Sequence, residues 1–247
     1  MIKQALNDFF RLFGYEVRRT KPWPDVWMAQ KDMIENPNPV IFDVGAHVGS
    51  VTEIYRKVFP TASIYAFEPT TASFAELQKH TVTDKKFYAY QMAIGEKKGT
   101  VMFNNNVAPM TNSLLPADAG NVHDWDYLGD DIYNCIEQVK VDSTTIDQFC
   151  EENAITHIDI LKMDIQGYEY AALQGAKRML ETHAISLVYQ EIIMTSTYVG
   201  QHSLADYLLF YESFGYELLN FSGYFEHNWK LLQIDGIFVQ KPLRASK

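Results

Sequence analysis

Short apolar segments alternate with amphipathic segments along most of this chain, starting at Pro39. Residues 40–42, 63–67 and 158–163 have the length and composition of buried strands. Residues 51–58, after the first of these strands, place their apolar side chains on one face of a helix. Repeated strand–helix units give parallel strands joined by right-handed crossovers. We therefore predict an α/β fold with a mostly parallel sheet.

The same patterns predict the remaining elements. Further strands are expected at residues 87–93, 139–141 and 185–189, and further helices at 71–79, 144–152, 168–180 and around 204–211. Residues 216–221 and 237–239 resemble a closing hairpin, whereas residues 95–142 are expected to be less regular.

The first 38 residues differ from the rest of the chain. Phenylalanines up to Phe13 lie among basic residues and predict a helix that Gly14 ends, followed by an extended Lys-Pro-Trp-Pro linker. Two interpretations are open: the helix packs on the main domain, or it lies on an acidic membrane surface beside glycan-assembly enzymes. We expect Trp23 and Trp27 to pack on the main domain. The predicted division is an N-terminal segment 1–38 and one domain at 39–247.

Charge and composition exclude several classes of protein. The formal net charge is −10 over 247 residues, which disfavours a nucleic-acid partner. No apolar stretch reaches the roughly 20 residues of a membrane span, and no signal peptide is evident, so a cytoplasmic location is expected. Cys135 and Cys150 fit no metal or redox spacing and are expected to be free thiols.

The most informative segment is the strand that ends in a glycine turn at residues 40–49. Gly45 allows a tight turn and a close approach of the backbone to a ligand, and the turn with Gly49 opens a helix. Asp43 places a carboxylate there that would repel a pyrophosphate but would suit a cationic ligand. S-adenosylmethionine (SAM) carries an ammonium and a sulfonium and no phosphate, so we predict a SAM site. His47, within the turn, is expected to contact the methionine end.

Glu68 supports the same interpretation. It directly follows the second predicted strand, about 20 residues after the glycine turn, where a carboxylate accepts hydrogen bonds from ribose hydroxyls. The end of the third strand, with Met92 and Ala93, is expected to lie beside the adenine.

At this point the sequence resembles the FkbM family of SAM-dependent methyltransferases over residues 39–240. The resemblance rests on FDVGAHVG at 42–49, AFEP at 66–69, AIG at 93–95 with GT at 99–100, ILKMDIQGYE at 160–169 and LQGA at 173–176. It implies a Rossmann-like class I methyltransferase fold with seven strands, the last antiparallel. It also implies O-methylation of sugar or polyketide hydroxyls. Three positions depart from the family pattern: His47 and Gln91 stand where Asn is frequent, and Gln166 where Glu is common.

Two carboxylates are candidates for the chemistry. A sugar hydroxyl is a poor nucleophile, and a general base within hydrogen-bond reach would activate it. Asp164 follows the predicted strand 158–163, and Glu191 ends the next one. We expect both at the edge of the sheet near the methyl group, with Asp164 also contacting the cofactor, although a helix-capping role for Asp164 stays open. No metal is predicted, because neither a zinc motif nor an Asp-Asn pair for magnesium is present.

We expect the residues that select the acceptor to lie in the less regular middle region. Amides, hydroxyls and aromatic rings suit a sugar, and they predict contacts from Asn112 and Ser113, with Trp125, Tyr127 and Tyr133 nearby. His227, close to the edge of the sheet, is a further candidate for the acceptor pocket.

Three functions are therefore compared. The first is an O-methyltransferase acting on a glycan or a related small-molecule hydroxyl. The second is an NAD(P)-dependent oxidoreductase, against which the glycine spacing and Asp43 argue. The third is a SAM-binding module without catalytic activity in a glycan-assembly complex.

Overall fold

The computed structural model describes residues 25–129 and 131–241 of this chain. The N-terminal helix and linker predicted before Asp25, and the packing of Trp23, lie outside the described residues. The strands are β1 Val40–Val44, β2 Ser63–Phe67, β3 Phe87–Tyr90, β4 Ala93–Ile94, β5 Gly99–Asn106, β6 Cys135–Thr144, β7 Ile158–Met163, β8 Ile185–Ile193, β9 Tyr216–His227 and β10 Lys230–Gln240. The α-helices are α1 Val26–Met33, α2 Ser50–Val58, α3 Thr71–Gln78, α4 Ile146–Glu152, α5 Glu169–Gln174, α6 Lys177–Glu181 and α7 Leu204–Ser213. Short 3₁₀ helices span Lys79–Val82, Pro109–Thr111 and Val122–Leu128.

The central sheet has seven strands in the order β3-β2-β1-β7-β8-β10-β9. The first five strands in this order, β3, β2, β1, β7 and β8, run parallel. Strand β10 is antiparallel to both of its neighbours, β8 and β9. The predicted fold is therefore confirmed: a mostly parallel, Rossmann-like sheet whose last strand is antiparallel and closes a hairpin.

Three local predictions were wrong. The middle region is more regular than expected: the strand predicted at 139–141 is part of the longer β6, which pairs with β4 and β5 in a second sheet. The helix predicted at 168–180 is split into α5 and α6 around Gly175, where a Cβ atom would lie 2.2 Å from the carbonyl oxygen of Gly95. Strand β8 continues to Ile193, so Glu191 lies within this strand and not at its end.

Two apolar clusters cover the two faces of the central sheet because successive strand residues point to opposite faces. Phe42 and Leu161 belong to one cluster, and their neighbours Ile41 and Ile160 belong to the other. Helix α1 packs on the second cluster: the ring of Trp27 meets Tyr55 edge-on at 5.2 Å and Tyr189 at 5.5 Å. The predicted packing of Trp27 is thus confirmed.

The strand register aligns the positions where the parallel strands end. Val44 pairs with Phe67 on one side and with Met163 on the other. Met163 pairs in turn with Gln190. One residue further along each strand, a single row across the sheet contains Gly45, Glu68, Asp164 and Glu191. Residues that are far apart in sequence therefore meet at one edge, as parallel sheets require.

Candidate cofactor and acceptor site

A cavity of about 450 Å³ lies along this row of residues, within the size range of small-molecule pockets. The predicted site residues that line it are Gly45, His47, Glu68, Met92, Ala93, Asn112, Asp164 and Glu191. Four other predicted residues do not line the cavity and make contacts within the protein instead: Asp43, Gly49, Ser113 and His227.

Asp43 is not among the residues that line this cavity, and its contact with the cofactor stays a prediction. Its strand position is level with Lys162 on the neighbouring strand β7, and paired residues share one face of a sheet. The fully buried carboxylate lies 3.0 Å from Lys162 Nζ and accepts a 2.6 Å hydrogen bond from Thr52 Oγ1. Asp43 therefore ties β1 to β7 and to helix α2.

Lys162 is a site residue that the sequence analysis missed. Its buried ammonium donates to the carbonyl oxygen of Gly45 at 3.0 Å and lies 3.9 Å from the Asp164 carboxylate. Burial alone would lower the pKa of Lys162, but the carboxylates of Asp43 and Asp164 outweigh it and raise that pKa. The side chain thus stays charged and brings a positive charge to the cavity wall. A lysine inside the apolar strand 158–163 was the available signal.

The two glycines of the turn serve the packing of the protein itself. Gly45 has φ +76°, and a Cβ atom there would lie 1.8 Å from the carbonyl oxygen of Asp164. Gly49 precedes α2 at φ +94°, where a Cβ atom would lie 2.9 Å from Nε2 of His80. Gly45 therefore lines the cavity, and its missing side chain lets the loop after β7 pack directly against the turn. At Gly49 the space that a Cβ atom would need is taken by His80, and the contact of Gly49 with the cofactor stays a prediction.

Glu68 holds the turn next to the cavity. Its Oε2 accepts the backbone N–H of His47 at 3.0 Å, and its Oε1 accepts the N–H and the hydroxyl of Thr70 at 2.9 and 2.5 Å. A carboxylate offers about four acceptor positions, so one on Oε2 is left for a ligand hydroxyl. This matches the ribose contact expected of a SAM site. His47 has φ +51°, a left-handed conformation that Asn and His tolerate better than most residues.

Asp164 and Glu191 lie side by side and are bridged by Gln166. The Gln166 amide donates to Asp164 Oδ1 at 3.2 Å and to Glu191 Oε2 at 2.8 Å. The Asp164 side chain is 43% exposed, whereas Glu191 is buried. A Gln at position 166 thus supplies donors between two carboxylates, where a Glu would add a third acid.

Burial and mutual repulsion raise the pKa values of two carboxyl groups on the β7–β8 side of the site. Desolvation, with the nearby charges of Asp164, Glu169 and Asp235, holds the pKa of Glu191 well above its usual value. Burial also raises the pKa of Glu169 to about 7, although its Oε1 accepts the Ile165 N–H at 2.8 Å. Perturbed carboxyl groups in a cleft are candidates for proton transfer.

Of the three residues predicted to contact the acceptor, only Asn112 lines the cavity, and all three contacts stay predictions. Ser113 is fully buried and donates to the backbone carbonyl of Gln166 at 2.7 Å, so it supports the loop after β7. His227 stacks on Tyr127 with ring centroids 3.9 Å apart, outside the cavity. Asn112 lines the cavity, and its side-chain oxygen accepts the Asn106 N–H at 2.7 Å.

Aromatic rings form part of the wall of the cavity. Trp125, Tyr133 and Phe225 line it, and Trp125 and Phe225 lie nearly parallel with centroids 5.9 Å apart. The indole N–H of Trp125 donates to Thr197 Oγ1 at 2.9 Å, which fixes the ring. Phe225 was not predicted because its strand reaches the site only through the hairpin.

No metal cluster or membrane span is seen in the described residues. Among residues 25–129 and 131–241, no group of three or more His, Cys, Asp or Glu side chains is placed to hold a metal ion. Within the same part of the chain, none of the helices combines the length and the apolar character needed to cross a bilayer. Cys135 and Cys150 are both free, as predicted.

Comparison with known proteins identifies the family. The model of the methyltransferase FkbM domain matches residues 43–218. The 2-O-methyltransferase NoeI of Sinorhizobium fredii is 24% identical over 209 residues, covering 80% of this chain and 81% of that protein. The 31-O-demethyl-FK506 methyltransferase FkbM of Streptomyces tacrolimicus is 25% identical over 157 residues, covering 57% and 60%. The crystal structure of methyltransferase FkbM from Methylobacillus flagellatus covers 81% of this chain and 44% of its own, with 18% identity and a TM-score of 0.49.

The family model spans well over half of the chain and includes the cofactor turn, Glu68 and the Asp164 loop. This match decides against the oxidoreductase considered from the sequence. The chain belongs to the FkbM methyltransferase family and is a SAM-dependent methyltransferase.

Proposed function

We propose that this protein is an O-methyltransferase whose acceptor is a hydroxyl of a sugar or of a related small molecule. The observation that carries the proposal is the bridged pair Asp164 and Glu191 on the cavity wall. Hydroxyl groups, unlike neutral amines, need to lose a proton for efficient attack, and a pair of carboxyl groups supplies an acceptor for it. Both NoeI and the FK506 methyltransferase are named as O-methyltransferases, which supports the same class of acceptor.

The cofactor would lie along the first half of the row. Glu68 has an acceptor position for a ribose hydroxyl, and Met92 and Ala93 provide an apolar surface for the adenine. The turn at Gly45 and His47 would hold the methionine end. SAM supplies a methyl group activated on a sulfonium, so the task of the protein is to position the acceptor oxygen and remove its proton.

We assign the two carboxylates different roles. Asp164 is the accessible one, and its carboxylate lies 3.9 Å from the Lys162 ammonium. It would accept the hydroxyl proton as the oxygen–methyl bond forms. Glu191 is buried, and its raised pKa favours a protonated carboxyl that hydrogen-bonds and orients Gln166 or the acceptor.

The aromatic part of the cavity wall supports an acceptor with an apolar face and polar edges. Trp125, Tyr133 and Phe225 offer flat apolar surfaces, while Asn112 and Gln233 offer amide groups. A pyranose ring presents C–H groups on its faces and hydroxyls around its rim, so such a ring fits this combination.

Single-turnover kinetics with separate measurement of SAM binding tests the proposal. We expect Asp164→Asn to lower the methyl-transfer rate by about 10²- to 10⁴-fold, the usual contribution of a general base, with little change in SAM affinity. Asp142→Asn, at an exposed position in β6, is the matched control. The acceptors are fluorescently labelled neutral glycans from cells, with radiolabelled SAM as donor. Unchanged turnover of Asp164→Asn would reject the base, and transfer only to non-hydroxyl acceptors would reject the function.

A further inference from the structure

The β9–β10 hairpin projects past the edge of the sheet that carries the site. Strand β8 ends at Ile193, which pairs with Gln233, so residues 225–232 extend beyond its carboxyl end. This overhang contacts the 3₁₀ helix Val122–Leu128: Phe225 and His227 stack near Tyr127, and Lys230 pairs with Asp124 at 2.6 Å. Phe225 and Gln233 of the hairpin and Trp125 and Leu128 of the 3₁₀ helix line the cavity, and the tip of the hairpin continues past them.

The tip of this hairpin combines an unfavourable backbone conformation with an exposed aromatic side chain. Asn228 and Trp229 form a two-residue turn in which both have positive φ, +49° and +65°. Such turns favour Asn followed by Gly, and a bulky residue in that conformation is strained. Trp229 is nonetheless 99% exposed, so its large apolar ring gains no packing in return. A strained and fully exposed aromatic residue on a hairpin that lines a ligand site indicates a role in binding.

We propose that Trp229 is a distal platform for the acceptor and that the acceptor is therefore an oligosaccharide, not a single sugar. This inference rests on the proposed function. The chain of sugar rings would run from the reacting hydroxyl at Asp164, past Phe225, to the tip of the hairpin. Phe225 and the tip lie about three residues apart along the strand, or roughly 10 Å, which several linked rings span and one ring does not.

Charge around the tip favours a neutral glycan over a membrane. Lys230, the basic residue next to Trp229, is paired with Asp124, and Glu226 beside it on β9 is exposed. The whole chain has a net charge of −10. An anionic lipid surface would meet repulsion here, whereas an uncharged polyhydroxyl chain would not.

The test measures kcat/KM for labelled neutral glycans separated by length, with radiolabelled SAM. We expect Trp229→Ala to lower the ratio of kcat/KM for long chains to that for single sugars by about tenfold, a typical loss for an aromatic anchor. Trp229→Phe should keep most of this ratio. Leu209→Ala, which removes another exposed apolar side chain on α7, is the matched control and should not change it.

Further readouts separate the alternatives. The melting temperature of Trp229→Gly should equal or exceed that of the wild type, because Gly suits φ +65°; a clear decrease would show that Trp229 supports the fold and would overturn the platform. An equal ratio for Trp229→Ala and the wild type would also overturn it. Two further results for Trp229→Ala would overturn the platform if the ratio stays unchanged. One is a loss of sedimentation with phosphatidylglycerol vesicles, and the other is a change in oligomeric state measured by light scattering. A wild-type enzyme that methylates small hydroxyl compounds but no glycan would overturn this inference and leave the proposed function, whereas one that methylates no hydroxyl would reject both.

Discussion

On the β1–β2 side of the site, the carboxylate of Glu68 accepts three hydrogen bonds from the turn residues around it. On the β7–β8 side, the carboxyl groups of Asp164, Glu169 and Glu191 lie close enough to repel one another, and burial raises the pKa of the last two. The first side uses its acid to fix a rigid binding surface. The second side contains carboxyl groups that bind a proton more readily than usual, which suits the proposed transfer to a hydroxyl.

Gly45 is where these two sides touch, and replacing it should have the largest effect. In Gly45→Ala the new Cβ would lie 1.8 Å from the Asp164 carbonyl oxygen, so β1 and the loop after β7 must separate. We expect a loss of more than about 4 kcal/mol in unfolding free energy, or an insoluble protein. Chemical denaturation measures it.

Gly200→Ala is the control for this prediction. Gly200 has φ +84°, close to the value at Gly45, but a Cβ atom at this position would have no neighbouring atom within 4 Å. The variant should therefore lose only the backbone contribution of about 1–2 kcal/mol. Equal losses in the two variants would show that the contact between the two sides contributes little.

Glu169 tests whether the β7–β8 side carries an electrostatic cost. Its pKa is raised from 4.5 to about 7, so between these pH values the folded protein holds a proton that the unfolded chain releases. Unfolding free energy should then fall as pH rises through this window, by roughly 3 kcal/mol in all. Glu169→Gln should reduce this slope and be the more stable protein at pH 8, with little difference at pH 4; the slope that remains comes from Glu191 and Asp235, whose pKa values are also raised.

Denaturation curves between pH 4 and 8 measure this effect. Glu181→Gln, at an exposed position in α6, is the matched control and should leave the slope as in the wild type. A slope in Glu169→Gln as steep as that of the wild type would mean that Glu169 contributes nothing to it, and the contrast between the two sides would lose its main support.

Glu68→Ala should have a smaller effect, divided between binding and stability. Loss of the ribose contact should raise the Kd for SAM about 10- to 100-fold, the value of a hydrogen bond to a charged group. The freed N–H groups of His47 and Thr70 should lower the unfolding free energy of the unliganded protein by about 1–2 kcal/mol. Calorimetry with SAM and thermal unfolding measure the two parts. Glu76→Ala, at an exposed position on α3, should change neither; unchanged SAM binding in Glu68→Ala would place the ribose elsewhere.

Most strands and helices could be predicted because their signals are local. The periodicity of β1, α2 and β2 is readable within a few residues, and so is the glycine turn between them. The β4-β6-β5 sheet could not be predicted in this way, since Ala93 pairs with Ser143, 50 residues later. Contacts of that range depend on which strands the chain brings together, and a short pattern does not contain this information.

The residues of the site also divide into those that local sequence signals predict and those that long-range contacts place. The sequence by itself determined the order of most strands and helices and the residues that follow β2 and β7, and hence the candidates Glu68 and Asp164. Only the tertiary structure decided that Asp43 turns inward to Lys162, 119 residues away, that Gln166 bridges Asp164 and Glu191, and that Phe225 reaches the cavity. The physical reason is that a charged side chain takes its role from its nearest partners, and strand register sets those partners across the sheet.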